Sequence, residues 1–220
     1  MYKTLRARFH DLPELETKNL RACQIDAITG IEESLKKAKP RALLQMATGS
    51  GKTYAAVTQV YRLAKFVKIK RALFLVDRGN LATNAKDEFE QFVIPHDGRK
   101  FTQQYEAHGC ASVAGGRKPG ATNVNILGRA GIPDATKVTI STIQRLYAQL
   151  TGQELDDEAD EHSGFEVEAS TVNKQPRPVS YNPDIPIEAF DVIIIDECHR
   201  TIYKLWRQVF EYFDAFLIGM

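Results

Sequence analysis

The sequence predicts an α/β domain with a mainly parallel sheet and helices on both of its faces. Short apolar runs alternate along the chain with longer segments that repeat apolar residues at helical spacing. A glycine-rich loop, MATGSGKT, stands between one such run and the helical segment that follows it. The length of 220 residues and the hydrophobic content of 43% suit one substantial core and are too small for two.

The predicted elements follow one another in β-α-β-α order. Helices are predicted where apolar residues recur every three or four positions, and strands where short apolar runs are bounded by turn residues. The predicted helices are Asn19–Ala38, Thr53–Phe66, Leu81–Phe92 and the stretch STIQRLYAQL. The predicted strands are Arg41–Gln45, Ala72–Val76, Val138–Ile140, Ala189–Ile195 and Ala215–Ile218. Helical connections of this kind keep successive strands parallel and cover both faces of the sheet.

Two segments lack this regular pattern. Residues 95–133 are rich in glycine and weakly periodic, so no element is predicted there. Residues 151–186 are first acidic and then proline-rich, and we expect an exposed insertion because they cannot form a core of their own. Between Leu146 and Asn173 there are eight acids and no lysine or arginine, which leaves +9 for the rest of a chain of net charge +1. That excess could attract a polyanion, and a solvated basic surface explains it equally well.

Composition also indicates where the protein works. No window approaches the roughly 18 consecutive apolar residues that a membrane span needs. The N-terminal stretch MYKTLRARFHDL has charges where a signal peptide has an apolar core. Cys23, Cys110 and Cys198 are far apart and lack CxxC spacing, which indicates free thiols rather than a disulfide framework or a zinc site. We therefore expect a cytoplasmic protein without a membrane partner.

The loop MATGSGKT is a candidate phosphate-binding site. Glycines at positions 49 and 51 allow backbone conformations in which successive N–H groups face a phosphate, and the following helix adds its positive end. The predicted nucleotide-binding residues of the loop are Thr48, Gly49, Ser50, Gly51, Lys52 and Thr53. Lys52 would neutralise the β- and γ-phosphates of ATP, and the Thr53 hydroxyl would bind Mg²⁺. A glycine-containing turn with an incidental lysine-threonine pair is the weaker interpretation.

The stretch IIIDECHR supplies the carboxylates that such a loop requires. Asp196 directly follows the apolar run and would hold Mg²⁺, whereas Glu197 would act as the general base toward the attacking water. A simple ion pair with Arg200 explains the acids but not their occurrence together with the glycine-rich loop. Cys198 is best explained as a small filler, and His199 as a core or surface residue or a link to the next motif.

Together these motifs resemble the first RecA-like lobe of a superfamily 2 helicase or translocase of the DEAD/DEAH type. More narrowly, the chain resembles the motor (R) subunit of type I restriction enzymes. The stretches that carry the resemblance are LRACQIDAI, MATGSGKT, FLVDRGNLATNAKDEF, ISTIQRLY, IDECHR and EYFDAFLIG, in the family's order. The loop differs from GxxxxGKT because Met46 occupies the first glycine position. Ala47 ahead of the two glycines and Lys52-Thr53 is similar to the way helicase-type motors write this loop.

The resemblance implies further site residues. Gln24 would read the adenine edge, with Arg21 in support, although a place on the polar face of an ordinary helix is an equal alternative. The family has proline and an aromatic residue where this chain has Ala22 and Cys23, so adenine stacking is not predicted. Contacts to a double-stranded DNA backbone, without base readout, are implied for Arg78, Asn80, Ser141, Thr142 and Gln144. For Asn80 and Ser141 a turn or cap role is an equal alternative.

The resemblance also implies a larger assembly. Motors of this type hydrolyse ATP between two lobes, and the R subunit carries a nuclease and works with methylase and specificity subunits. We expect residues 1–220 to be the N-terminal RecA-like ATP-binding lobe, with the nuclease and the second lobe outside this sequence. Two other interpretations stay open, a repair or other superfamily 2 helicase and a non-motor, nucleotide-dependent switch that binds DNA or partner subunits.

Overall fold

The computed structural model describes residues 3–96, 98–109, 136–153, 177–198 and 204–220. Within these residues, six strands form one sheet in the order β1-β6-β5-β2-β4-β3, and every neighbouring pair is parallel. The strands are β1 (Arg41–Leu43), β2 (Ala72–Val76), β3 (Glu106–Gly109), β4 (Thr136–Thr142), β5 (Val192–Ile195) and β6 (Phe216–Gly219). The parallel sheet predicted from the sequence is confirmed.

Seven α-helices are found in the described residues. They are α1 (Leu5–Arg8), α2 (Ala22–Lys36), α3 (Lys52–Arg62), α4 (Gly79–Gln91), α5 (Phe101–Gln104), α6 (Ile143–Thr151) and α7 (Lys204–Tyr212). A π-helical turn, Leu63–Val67, continues α3 and ends at Lys68, whose φ of 58° is left-handed. Strand β2 has the predicted bounds, whereas β1 and β5 are shorter and β4 is longer than expected. Strand β3 and the helices α1, α5 and α7 were not predicted.

Helices cover both faces of the sheet, as the sequence predicts. On β2, Phe74 and Val76 belong to one apolar cluster, and Leu73 and Leu75 belong to the other. Residues of α2, α3 and α4 fill the first cluster, while α6 and α7 contribute to the second. Because successive side chains of a strand point to opposite faces, the near-continuous apolar character of β2 follows from burial on both sides.

Of the last ten residues of the expected exposed insertion, 177–186, six are exposed, and the segment contacts the domain through a few of the others. Residues 154–176, which carry its acids, lie outside the described residues. Ile185 is 2% exposed and belongs to the second apolar cluster. The Tyr212 hydroxyl donates to the Ile185 carbonyl at 2.7 Å, and Asn182 donates to the Gln149 carbonyl at 3.2 Å. The chain therefore contacts both α6 and α7 before β5 begins. The sequence did not predict these contacts, because the segment is rich in proline and has few apolar residues.

A buried ion pair fixes α2 to α3. The Arg62 Nε lies 2.6 Å from Glu32 Oε1, and the two residues are 4% and 5% exposed. A second nitrogen of the Arg62 guanidinium donates to the Pro13 carbonyl, so the N-terminal segment is held at the same point.

Among the helices of the described residues, none combines the length and apolar character that crossing a bilayer requires.

Replacing Glu32 with alanine is expected to destabilise the fold by about 3 to 5 kcal/mol, because it leaves the buried Arg62 charge without its carboxylate. Glu33→Ala is the matched control, since the neighbouring Glu33 pairs at 3.9 Å with Lys37 on the surface. Its expected effect is below about 1 kcal/mol. Urea unfolding of both variants measures the two values. Equal stability of the Glu32 and Glu33 variants would show that the buried pair contributes nothing specific.

Candidate functional site

The glycine-rich loop connects β1 to α3 at the edge of the sheet where the strands end. Gly49 and Gly51 have φ of 75° and 84°, the left-handed region in which a side chain is strained. Gly51 is the N-cap of α3, so Lys52 and Thr53 occupy its first turn. A Cβ at Gly51 would lie 2.4 Å from Gln24 Nε2, so a side chain here would also displace the Gln24 amide. Phosphate binding by the loop stays a prediction, and the left-handed backbone at both glycines agrees with it.

The first turn of α2 supports this loop from behind. Gln24 is 4% exposed; its Oε1 accepts from the Arg21 N–H at 2.9 Å, and its Nε2 donates to the Gly51 carbonyl at 3.1 Å. The Arg21 guanidinium donates to the Gly49 carbonyl at 3.1 Å. Gln24 is therefore not on an exposed polar face, and it braces the phosphate loop. Its contact with adenine stays a prediction.

The two predicted catalytic acids lie directly after β5, which is two strands from β1. The Asp196 N–H donates to the Leu75 carbonyl of β2 at 2.8 Å, which extends the sheet by one bond. Glu197 has a left-handed φ of 51°, uncommon for a residue with a side chain. Its N–H donates to Asp196 Oδ1 at 3.0 Å, so the turn folds back on the carboxylate.

The structure brings the phosphate loop and the acidic pair into direct contact. Lys52 Nζ lies 3.0 Å from Glu197 Oε1, across 145 positions of sequence. The two side chains are 17% and 30% exposed, so the ion pair is partly shielded from water. A cation and two carboxylates thus meet at one end of the sheet, at the point where a polyphosphate on the loop would lie.

The charge state of Asp196 is sensitive to this setting. Burial raises the pKa of Asp196, and the negative charge of Glu197 raises it further, against the opposing effects of Lys52 and the Glu197 N–H. A divalent cation beside Asp196 would stabilise the carboxylate form. The Thr53 hydroxyl and the Asp196 carboxylate are oxygen donors of the kind that Mg²⁺ prefers. The chemistry of Thr53 and Asp196 therefore fits a magnesium ion that a nucleotide also helps to hold. In the described part of the chain, no cluster of three or more metal-binding side chains occurs that could hold a metal ion without a nucleotide.

Cys198 has the environment of a packed thiol. Burial raises the pKa of Cys198, and the carboxylates of Asp196 and Glu197 raise it further, so the thiol stays protonated at neutral pH. This supports its interpretation as a small filler. His199, Arg200 and Cys110 lie outside the described residues.

The proposed DNA-contacting residues occupy the same edge of the sheet but differ in exposure. Asn80, in the first turn of α4, is exposed, and Arg78 is half-buried beside it. Arg78 Nε lies 3.6 Å from the carboxylate of Asp77, which is 1% exposed and directly follows β2. Asp77 was not among the predicted site residues, although its place directly after the apolar run ALFLV was a visible signal.

The other three predicted contacts are buried in this lobe. Ser141 and Thr142 are both 0% exposed, and Gln144 is 3% exposed. The Thr142 hydroxyl caps α6 by accepting from the Arg145 N–H at 3.3 Å, while Gln144 Nε2 donates to the Asp77 carbonyl at 3.0 Å. Of these contacts, the Gln144 bond holds the backbone at Asp77, next to Arg78.

A comparison with known families places most of this chain in one of them. The profile of the family described as type III restriction enzyme, res subunit, matches residues 17–220. The match includes the phosphate loop, the acidic pair and all six strands of the sheet.

Two curated relatives from Escherichia coli are also similar. The chain is 29% identical to the EcoKI endonuclease subunit of strain K12, a type I restriction enzyme, over 96% of this chain and 16% of that protein. It is 30% identical to the corresponding EcoAI subunit over 90% of this chain and 18% of that protein. The chain thus spans less than a fifth of either relative. A solved fragment assigned to the HsdR subunit of a type I restriction enzyme from Vibrio vulnificus YJ016 gives a TM-score of 0.45 at 22% identity, over 99% of this chain and 28% of that one.

Proposed function

Because the chain belongs to the family described as type III restriction enzyme, res subunit, we propose that it is the ATP-binding lobe of a motor that moves along double-stranded DNA. The motor would be the restriction (R) subunit of a type I restriction enzyme, to which the two curated relatives belong. The observation that carries the proposal is the 3.0 Å contact between Lys52 and Glu197. It joins the loop that would hold the phosphates to the acid that would activate water.

In this proposal each group has a distinct task. The loop from Thr48 to Thr53 offers its backbone N–H groups to the phosphates, and Lys52 neutralises their oxygens. Thr53 and Asp196 would hold Mg²⁺, which supplies charge neutralisation at the phosphates. Glu197 would accept the proton of the attacking water. Gln24 and Arg21 keep the loop in place, and Gln24 would also face the adenine.

Double-stranded DNA would lie along the edge of the sheet that carries Arg78 and Asn80. Their half-buried and exposed positions suit contact with phosphate oxygens, which a motor indifferent to sequence requires. The buried Ser141, Thr142 and Gln144 would not reach the DNA themselves. They would stabilise the end of β4 and the start of α6, which lie beneath the DNA. Asp77 would orient the Arg78 guanidinium toward the DNA backbone.

The remaining parts of the proposal concern the larger protein. Residues 1–220 would form the first lobe, with an acidic insertion within residues 151–186. A second RecA-like lobe and a nuclease would belong to the complete subunit, which would join methylase and specificity subunits in the cytoplasm. The proposal as a whole is tested by measuring the rate of nucleotide hydrolysis by the complete subunit with and without Mg²⁺ and with and without duplex DNA. We expect hydrolysis to require both. A rate that does not change when duplex DNA is added would contradict the proposal.

Arg78→Ala should weaken duplex binding to the same extent on different sequences, because it removes a charge and no base-specific bond. The log-log salt dependence of binding should become flatter by about 0.9, the value for one phosphate contact. Arg207→Ala is the matched control, since Arg207 also pairs with a carboxylate, at 2.6 Å, but lies on α7. A salt titration of duplex binding for the three proteins measures this. An unchanged slope with altered sequence preference would exclude backbone contact by Arg78.

A further inference from the structure

The end of β6 lies between the phosphate loop and the acidic pair. The Leu44 N–H, just before the phosphate loop, donates to the Gly219 carbonyl at 2.8 Å. On the other side, the Met220 N–H donates to the Ile195 carbonyl at 2.9 Å, and the Cys198 N–H donates to the Met220 carbonyl at 2.9 Å. Residues 219 and 220 therefore hold the backbone on both sides of the nucleotide site.

Gly219 has no room for a side chain. A Cβ there would lie 2.9 Å from Cys198 Sγ, 3.3 Å from Cys198 Cβ and 3.3 Å from Leu43 Cδ1. The φ of Gly219 is not left-handed, so the backbone itself would accept alanine. Glycine is required here by the close approach of Cys198, not by backbone conformation.

The neighbours of Gly219 differ in how easily they could move. Leu43 is 77% exposed, so its side chain can turn away into water. The Cys198 side chain packs against the second apolar cluster, which limits how far its sulfur can turn away from a contact at 2.9 Å. That contact would push the backbone of Cys198, which directly follows Glu197, whereas the approach of the two Cβ atoms to 3.3 Å needs only a small shift.

The Glu197 backbone is the part that such a push would disturb. Its left-handed φ of 51° persists only while the surrounding contacts hold it. Two of these contacts are the Glu197 N–H bond to Asp196 Oδ1 and the Cys198 N–H bond to Met220. If Cys198 shifts, Glu197 can relax toward an ordinary conformation, and its carboxylate then leaves the position 3.0 Å from Lys52.

We propose that Gly219 is a positioning residue for the general base Glu197, because its lack of a side chain leaves room for the Cys198 thiol and leaves the turn that carries Glu197 undisturbed. The inference rests on the proposed function of the site. Gly219 acts on the carboxylate only through this turn.

The test is a double-mutant cycle in the complete subunit, since motors of this type hydrolyse ATP between two lobes, with single-turnover hydrolysis of ATP and, separately, ATP affinity as readouts. Gly219→Ala should slow hydrolysis at least about tenfold, while ATP affinity changes less than about threefold because the phosphate loop is intact. Cys198→Ala should hydrolyse ATP nearly as fast as wild type. The double variant should return to within about threefold of Cys198→Ala, since the contact with sulfur is gone.

Gly30→Ala is the matched control, because a Cβ at Gly30 would meet nothing within 4 Å and should leave hydrolysis unchanged. If Gly219→Ala does not fold, the double variant must fold and hydrolyse ATP for the proposal to hold. Wild-type hydrolysis by Gly219→Ala would overturn it, as would a loss that Cys198→Ala does not relieve. Failure of the proposed function looks different, because wild type would then neither bind nor hydrolyse ATP.

Discussion

Replacing Lys52 with alanine is expected to lower the affinity for ATP with Mg²⁺ by at least about 100-fold, because a charged hydrogen bond to the phosphates is lost at a partly shielded site. The side chain is 17% exposed and stands on the first turn of α3, directly behind the phosphate loop. The change also leaves Glu197 without this cation, which adds negative charge where the phosphates would bind. Calorimetric titration with ATP measures the affinity.

Lys86→Ala is the matched control for Lys52, because Lys86 also pairs with a glutamate, Glu90, at 3.4 Å. It lies on α4 and away from the loop, so its affinity for ATP should equal that of wild type. A Lys52 variant that binds ATP as tightly as the Lys86 variant would show that MATGSGKT is not the phosphate site.

Replacing Glu197 with glutamine is expected to separate binding from hydrolysis. The neutral amide no longer holds Lys52 as an ion pair, so ATP should bind at least as tightly as to wild type. Hydrolysis should fall by about 10² to 10⁴-fold, the usual contribution of a general base. Single-turnover measurements with protein in excess over ATP are suited to slow reactions and resolve the two effects.

Glu188→Gln is the control for Glu197, since Glu188 is an exposed carboxylate ahead of β5, at the opposite end of that strand. It should retain both affinity and rate. A Glu197 variant that hydrolyses ATP at the wild-type rate would remove Glu197 from the mechanism, and Asp196 would then be the remaining candidate for the general base.

Local patterns in the sequence were sufficient for much of the fold. Strand β2 was predicted with its observed bounds, because five apolar residues between polar turns are typical of a strand buried on both faces. Strand β3 was missed because it lies within the glycine-rich residues 95–133, which show no clear periodicity. The α7 helix was missed because it is short and follows the acidic motif closely, although its sequence KLWRQVFEY is rich in apolar and aromatic residues. Val209 and Phe213, four positions apart, are both buried.

The site shows a similar division. The phosphate loop and the acidic pair could be predicted because each is a short motif with a known chemistry, and their contact across 145 positions follows from the parallel sheet. The bracing role of Gln24 could not, since residue type alone does not indicate which backbone carbonyl its amide contacts, here that of Gly51. The burial of Ser141, Thr142 and Gln144 also depends on packing between distant elements, which residue type alone does not reveal.

The central claim is that this chain binds a nucleotide through its phosphates at the loop beside Glu197. Calorimetric titration of the wild-type chain with ATP, ADP and AMP, each in excess Mg²⁺, tests it most directly. The account predicts that ATP binds most tightly, ADP more weakly and AMP least, because Lys52 and the loop contact the β- and γ-phosphates. Equal affinity for AMP and ATP, or no binding of ATP, would contradict it.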